Sequence, residues 1–241
     1  MVGTLLNIAT VLAGGTLGTF LGARLPARMR ETVMSGLGLV TLLIGISMAV
    51  KTRQPLVVMG SILLGGVLGE WWRIEDGLEA TGHWLEQHFG RPQEVAAGRS
   101  ITRAFVTASL VFCVGPMTVL GSVLDGLTGD FNLLAIKSLL AGFASLAFGA
   151  SLGPGVVFSA LTILVYQGGL SLAARLLGSS LAGVSAQTPA VVEMSATGGV
   201  LIIGIGLLLL DLKRIRLANF LPAIVLAPAA VVCLELLGVS L

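Results

Sequence analysis

Long apolar stretches alternate with short polar segments along most of the chain. A helix needs about 20 mainly apolar residues to cross a bilayer. On this measure we count eight segments, at residues 3–22, 33–50, 55–70, 101–125, 132–152, 154–176, 189–211 and 216–237, of which the third is short. The pattern predicts an all-α polytopic membrane protein with about eight transmembrane helices, forming a single integral membrane domain over residues 1–241.

Residues 71–89 have a different pattern. Apolar positions recur there at nearly helical spacing, but four acidic residues lie between them, which is too much charge for a span. The pattern predicts an amphipathic helix in the cytoplasmic interface, with Trp71, Trp72 and Trp84 at the level of the lipid headgroups.

Two spans carry a proline near the middle, at Gly115-Pro116 and at Pro228. Proline removes a backbone donor and clashes with the carbonyl four residues earlier, so we predict that spans four and eight are broken. Half-helices that meet inside a membrane present free amides and free carbonyls, which can coordinate an anion or a cation. The alternative is a kink that neighbouring helices satisfy. Thr118 and Ser122 continue one face beyond the first break and could line a path.

Similar loops and prolines around spans four and eight suggest an internal repeat. The simplest account is a tandem duplication, with residues 1–125 as the first half, 71–89 as an insertion in it, and 132–241 as the second half. Two alternatives stay open: an inverted repeat of three spans on each side of spans four and five, and no repeat.

Composition supports the membrane assignment. The chain is 55% hydrophobic and 11% charged, with a mean hydropathy of +0.99, whereas a soluble domain has about 25% charged residues. The net charge of +2 is too small to indicate nucleic-acid binding. The lipid bilayer is therefore the first partner that the sequence predicts.

The basic residues predict the orientation, because Lys and Arg collect in cytoplasmic loops. Ten of the 14 fall in the loops after spans one, three and seven. These are Arg24, Arg28, Arg30, Arg73, Arg91, Arg99, Arg103, Lys213, Arg214 and Arg216. Both termini are then expected on the extracytoplasmic side.

Polar side chains within or near the spans are the candidate site. Asn7, Gln167 and Glu193 fall in the outer half of the predicted topology, with Asp125 and Lys137 close to the same face. Such groups are costly in a membrane and often mark a solute or ion pathway. We expect them to form a polar vestibule that opens outward, with Glu193 as a proton-coupling or cation-binding carboxylate.

Each of these residues also has a structural interpretation. Glu193 could be a first-turn acid that the helix dipole favours, and Asp125 and Lys137 could form an interfacial ion pair. Asn7 and Gln167 could join neighbouring helices by hydrogen bonds. Asn219, at the start of span eight, could satisfy carbonyls freed by its kink.

Small residues recur every four positions in two spans, as Gly14-x3-Gly18-x3-Gly22 and Ser61-x3-Gly65-x3-Gly69. Such faces allow close helix packing, within the chain or in a homodimer. A narrow pore wall is the alternative interpretation.

Enzyme signatures are missing from the sequence. His83 and His88 are its only histidines, and their spacing does not place two metal ligands on one helix face. It has no nucleophile elbow and no phosphate-binding loop. We expect no catalytic residues, no metal site and no cofactor.

Several motifs resemble one known family. They are Gly3–Asn7, Gly115–Gly121 followed by Asp125-Gly126 and Gly129-Asp130, Tyr166–Gly168, Glu193–Gly199 and Ala218–Ala223. In this order they resemble the YdfK/YqgA family of bacterial membrane proteins, over nearly the whole chain. The resemblance implies a bacterial inner-membrane protein and no established substrate.

Taken together, these features favour a transporter or channel for an ion or small polar solute, with its path between the two halves near the broken helices. The alternative is a structural or assembly protein, in which the polar residues only join helices and the interfacial helix docks a partner.

Overall fold

The computed structural model describes residues 1–90, 100–177, 185 and 187–237, and all regular structure in these residues is helical. Within these residues, ten α-helices follow one another. They are α1 (Val2–Gly22), α2 (Ala27–Ala49), α3 (Pro55–Trp72), α4 (Ile74–Phe89), α5 (Ile101–Cys113), α6 (Pro116–Leu127), α7 (Asn132–Leu152), α8 (Gly155–Leu177), α9 (Pro189–Leu209) and α10 (Pro222–Leu236). A 3₁₀ turn at Leu217–Phe220 precedes α10.

The membrane spans confirm the hydropathy prediction. In the part of the chain that the structure describes, seven helices are long and apolar enough to cross a membrane, and the bent pair of α5 and α6 makes an eighth span if it is counted as one. The main difference is α2, which begins at residue 27 rather than 33. Its first turns carry charged residues, and a search for apolar segments does not include them. The protein is thus a multi-pass membrane protein.

Helix ends follow local sequence signals. Pro55, Pro189 and Pro222 stand at the starts of α3, α9 and α10, where a missing amide hydrogen costs nothing because the first turn has no acceptor for it. Between α7 and α8, Gly153 takes a φ of 100°, just before Pro154.

The described residues group into two compact units. The first contains α1, the beginning of α2 up to Gly36, α4 from Leu78 onward, α5, α6 from Met117 onward, α7 and α8. The second contains the rest of α2, α3, the beginning of α4, residues 114–116, α9, the 3₁₀ turn and α10. The tandem duplication of two halves stays a prediction. Arg91 and Arg99, which the predicted orientation uses, lie outside the described residues.

Close packing of α1 against α7 dominates the first unit. A Cβ atom added to Gly14, Gly18 or Gly22 would overlap a backbone carbonyl oxygen of α7, so only glycine lets the two backbones approach this closely. This glycine face therefore packs within the chain.

In the second unit, α9 is the most buried span: 67% of an 18-residue apolar window of this helix is buried, against 11% for the corresponding window of α2. The small face of α3 packs on the start of the last span, since a Cβ at Gly65 would meet Ala223 and one at Gly69 would meet Asn219. Both small-residue faces are therefore covered inside the chain. A homodimer would therefore need a surface other than these two faces.

The two proline-containing spans differ. The axes of α5 and α6 meet at a bend of 63°, so the predicted break at Gly115 is present. The predicted break of span eight is wrong, because α10 continues through Pro228. The residue before each proline explains the difference: Gly115 adopts a φ of 155°, which alanine at position 227 can reach only with strain.

Candidate functional site

The break between α5 and α6 leaves the backbone carbonyl of Phe112 without its helical partner. In a continuous helix, the amide hydrogen of residue 116 would bond to the carbonyl of Phe112, but proline has no such hydrogen. Two side chains donate to this carbonyl oxygen instead: the Lys137 ammonium at 3.0 Å and the Thr118 hydroxyl at 3.3 Å. The broken helix is thus stabilised by a lysine from α7.

The same ammonium joins the break to α8 and α1. Lys137 Nζ lies 3.1 Å from Gln167 Oε1, and that oxygen also accepts a hydrogen bond from Asn7 Nδ2 at 2.8 Å. Gln167 Nε2 donates to Thr4 Oγ1 at 3.3 Å. We call Thr4, Asn7, the Phe112 carbonyl, Lys137 and Gln167 the Lys137 cluster.

The Lys137 cluster is buried and carries an uncompensated charge. Thr4, Asn7 and Gln167 are all fully buried, and Lys137 is partly buried. Both hydrogen-bond acceptors of its ammonium are neutral oxygens, and no carboxylate within the described residues lies at ion-pair distance from it. A cation held only by neutral oxygens is expensive inside a membrane, which makes it a candidate for function.

Asn7 and Gln167 therefore form the predicted hydrogen bond between helices, although they lie 160 positions apart. The predicted ion pair between Asp125 and Lys137 is wrong. Lys137 instead donates to the Phe112 carbonyl that the break leaves free. Asp125 pairs with a different cation, since its Oδ1 lies 2.8 Å from the Met1 amine.

Asp125 opens onto a cavity of about 280 Å³, which Ser171 and Arg175 also line. Its side chain is almost completely buried, and Oδ1 pairs with the Met1 amine, while Oδ2 has no hydrogen-bond partner among the described residues. The buried Ser171 hydroxyl also has no hydrogen-bond partner among them. Buried polar atoms normally find partners, so this cavity suits a hydrophilic occupant.

Hydroxyl groups on α6 lie between the break and this cavity. Thr118, Ser122 and Asp125 follow a helical spacing of four and three residues, and each is buried. Ser122 donates to the carbonyl of Thr118 at 2.5 Å. At 1.5 Å per residue, the stripe from Thr118 to Asp125 is about 10 Å long.

Glu193, in the second unit, has a different environment from the one predicted. It is 1% exposed and accepts three hydrogen bonds from the loop that precedes α3. The donors are the Thr52 hydroxyl at 2.5 Å and the Arg53 and Gln54 amides at 2.8 and 3.0 Å. Its carboxylate accepts hydrogen bonds from amides just before the start of α3. The alternative interpretation instead had the carboxylate interact with the N-terminus of its own helix.

Asn219 is likewise bound to a different partner from the one predicted. Its Oδ1 accepts the Glu75 amide at 2.7 Å, and its Nδ2 donates to Glu70 at 2.7 Å. Glu75 in return accepts the Ala218 amide at 2.7 Å, and Glu70 pairs with Arg216 at 2.5 Å. These side chains join the junction of α3 and α4 to the 3₁₀ turn, and Asn219 satisfies an amide there, not the carbonyl that Pro228 frees.

Sequence reasoning missed Thr4, Thr52, Glu70, Glu75 and Ser171, as well as the Phe112 carbonyl. Only the last had a usable signal, since the position four residues before a mid-span proline always loses its donor. No group of three or more His, Cys, Asp or Glu residues in the described part of the chain is arranged to hold a metal ion.

Comparisons with known proteins agree with the resemblance seen in the motifs. The family model described as a protein of unknown function (DUF554) matches residues 2–232. The uncharacterized protein YqgA of Escherichia coli K12 is 32% identical, over 94% of each chain. The uncharacterized membrane protein YdfK of Bacillus subtilis 168 is 25% identical, over 99% of each chain.

No solved structure matches this chain significantly. The family match covers nearly the whole sequence, including every residue of the Lys137 cluster. The chain therefore belongs to the DUF554 family.

Proposed function

We propose that this protein is a bacterial inner-membrane transporter or channel for an ion or small polar solute. The observation that carries the proposal is the Lys137 cluster, in which a lysine ammonium binds the unpaired carbonyl of a broken helix. Broken helices with ionisable side chains at their ends are a recurring way to build solute sites in membrane proteins.

The path that we propose lies within the first unit. It begins at the cavity beside Asp125 and Ser171, follows the buried stripe of Thr118, Ser122 and Asp125 along α6, and reaches Lys137 at the break. This replaces the path between two broken helices that we expected, because α10 has no break at Pro228. Transport through it involves no catalysis, and the charge pattern of the loops favours extracytoplasmic termini.

Flux through proteoliposomes tests the proposal. The purified protein is reconstituted, and a panel of inorganic cations, inorganic anions and small zwitterions is followed by radiotracer or by current on a supported membrane. We expect flux of at least one solute above that of protein-free vesicles. Lys137→Met should abolish this flux, since it removes the charge at the break.

Lys51 provides the matched control, because it is exposed and has no ion-pair partner among the described residues. Lys51→Met makes the same chemical change and should leave the flux unchanged. Equal loss in both variants, or equal flux with and without Lys137, would remove the Lys137 cluster from the path.

A structural or assembly role is the second candidate, and the second unit favours it. Glu193 and Asn219 both use their polar atoms to hold loops at helix starts. If no solute of the panel moves in either direction, with the protein folded in the vesicles, this candidate is preferred.

A further inference from the structure

Lys137 occupies a position that a free cation could also occupy. Its ammonium lies 3.0 Å from the Phe112 carbonyl oxygen and 3.1 Å from Gln167 Oε1. Carbonyl oxygens at the end of an interrupted membrane helix, combined with side-chain oxygens, are ligands that bind sodium ions and protons in transporters. The lysine side chain thus places its own ammonium among oxygens that could also bind a free metal cation.

The unused polar atoms nearby also favour a cation. Asn7 donates through Nδ2 to Gln167, while its buried Oδ1 has no hydrogen-bond partner among the described residues. The Thr118 hydroxyl lies beside the same Phe112 carbonyl, with its own lone pairs free to bind a cation. An anion would meet these oxygens unfavourably, and Lys137 already directs two of its N–H groups to oxygens.

Few charged groups surround the ammonium on the helices packed around it. Cys113 lies beside it at the end of α5, and Tyr166 on α8 precedes Gln167. Asp125 on α6 pairs with the Met1 amine at the start of α1. No carboxylate of the described residues lies at ion-pair distance from Lys137, so its ammonium hydrogens contact only neutral oxygens there.

We propose that the Lys137 cluster is a site for a monovalent cation, and that the lysine ammonium is its resident cation. If the protein is a transporter as proposed above, protons then take the coupling role that a metal ion has in other carriers. The ammonium releases one proton to water on one side, leaving a neutral amine, and regains one from water on the other side. The site itself does not depend on the transport proposal.

Emptying the site tests the inference. Lys137→Ala removes the ammonium and leaves the oxygens in place, while Lys137→Met fills the same space with an uncharged apolar chain. Both proteins are purified in nanodiscs and melted in choline chloride, NaCl or KCl at constant ionic strength. Choline is too large to enter, so it provides the baseline.

We expect Na⁺ or K⁺ to stabilise Lys137→Ala in a saturable manner, with a rise in melting temperature of about 5–10 °C at 100 times the dissociation constant. The wild type and Lys137→Met should melt at the same temperature in all three salts. Adding Gln167→Leu to Lys137→Ala removes one oxygen ligand and should abolish the response. Identical melting of Lys137→Ala in choline, Na⁺ and K⁺ would overturn the inference.

If Lys137→Ala does not fold, Lys137→Ser retains the space and adds a small oxygen ligand. It is purified in NaCl throughout, and exchange of Na⁺ for choline should then lower its melting temperature. A Lys137→Ser protein that is equally stable in both salts overturns the site.

Failure of the site and failure of the transport proposal give different results. Stabilisation of Lys137→Ala by Na⁺, with no solute moved by the wild type, supports the cation site and refutes transport. Flux by the wild type, with no variant responding to Na⁺ or K⁺, supports transport and refutes the site. Wild-type flux should respond to an imposed pH gradient, and flux driven by a Na⁺ gradient instead would refute proton coupling.

Discussion

Glu193 provides the sharpest test of how this chain uses a buried carboxylate. As a coupling residue, it would be needed for transport and not for folding. The structure instead shows it accepting the Thr52 hydroxyl and the Arg53 and Gln54 amides at the start of α3. We therefore expect substitutions of Glu193 to lower stability first.

The size of the effect follows from the three hydrogen bonds. Glu193→Ala leaves the Arg53 amide and the Thr52 hydroxyl without their acceptor, whereas the Gln54 amide keeps the Thr52 hydroxyl oxygen at 3.2 Å. Each buried unsatisfied group costs about 1–3 kcal/mol, so a loss of about 2–6 kcal/mol is expected. Glu193→Gln retains one oxygen for the two amides, and the Thr52 hydroxyl can turn to accept from the new NH₂ group. Its loss should be smaller, about 1–2 kcal/mol, because a charged acceptor becomes neutral.

Thermal unfolding in detergent or nanodiscs measures both losses, and hydrogen exchange at residues 52–58 locates them. Glu79→Ala is the matched control, because Glu79 is an exposed acid on α4 and its removal should change the melting temperature little. Faster exchange should be confined to the start of α3 in Glu193→Gln.

Two results would refute this reasoning. Glu193→Ala could melt at the wild-type temperature, in which case the three bonds do not stabilise the fold. Alternatively, Glu193→Gln could abolish solute flux while stability and exchange stay at wild-type values, which would return the carboxylate to the transport path.

Three further predictions concern other parts of the structure. Burial raises the pKa of the Glu86 carboxyl, but hydrogen bonds from Thr102 and Ser100 lower this pKa by more, so it lies below its ordinary value of 4.5. Their stabilisation is therefore complete above that pH and lost as the pH falls through the lowered value, so amide exchange at the start of α5 should rise in acid. Gly18→Leu should unfold the first unit or prevent its expression, because a side chain there would overlap the backbone of α7. Gly115→Ala should cost about 1–3 kcal/mol in thermal unfolding, since its φ of 155° is strained for a residue with a Cβ.

Each of these predictions has a control. Glu86→Gln should flatten the acid dependence, and an unchanged rise would refute the role of Glu86. A Cβ atom added to Gly36 or Gly60 would meet nothing within 4 Å, so Gly36→Leu and Gly60→Ala should both be tolerated. Equal damage at the control and test positions would mean that close packing and backbone strain are not the causes.

Local chemistry determines much of this fold, and the sequence therefore predicts it. Apolar length defines the spans, since hydrocarbon accepts only segments that satisfy their own backbone. Prolines at residues 55, 189 and 222 mark helix starts, and the Gly115-Pro116 step marks the break. The same local logic fails at Pro228, where a continuous helix tolerates the loss of one hydrogen bond.

The candidate site could be predicted only as a set of residue types. Sequence placed Asn7, Gln167 and Lys137 among the polar groups of the spans, and three helices bring them together at 2.8 and 3.1 Å. It grouped Glu193 with them, although that carboxylate binds the loop before α3. It also paired Lys137 with Asp125 by charge.

By itself, then, the sequence determined a multi-pass helical membrane protein, most of the ends of its spans, one helix break and the residues that carry polarity. Only the tertiary structure decided the partners of those residues. A span is specified by the solubility of its own segment, whereas a hydrogen bond between Asn7 and Gln167 depends on which helices pack together and how each is rotated about its axis. That rotation is set by close contacts such as those of α1 with α7. The glycine spacing marks the face of α1 that packs closely, but it does not encode which helix packs there.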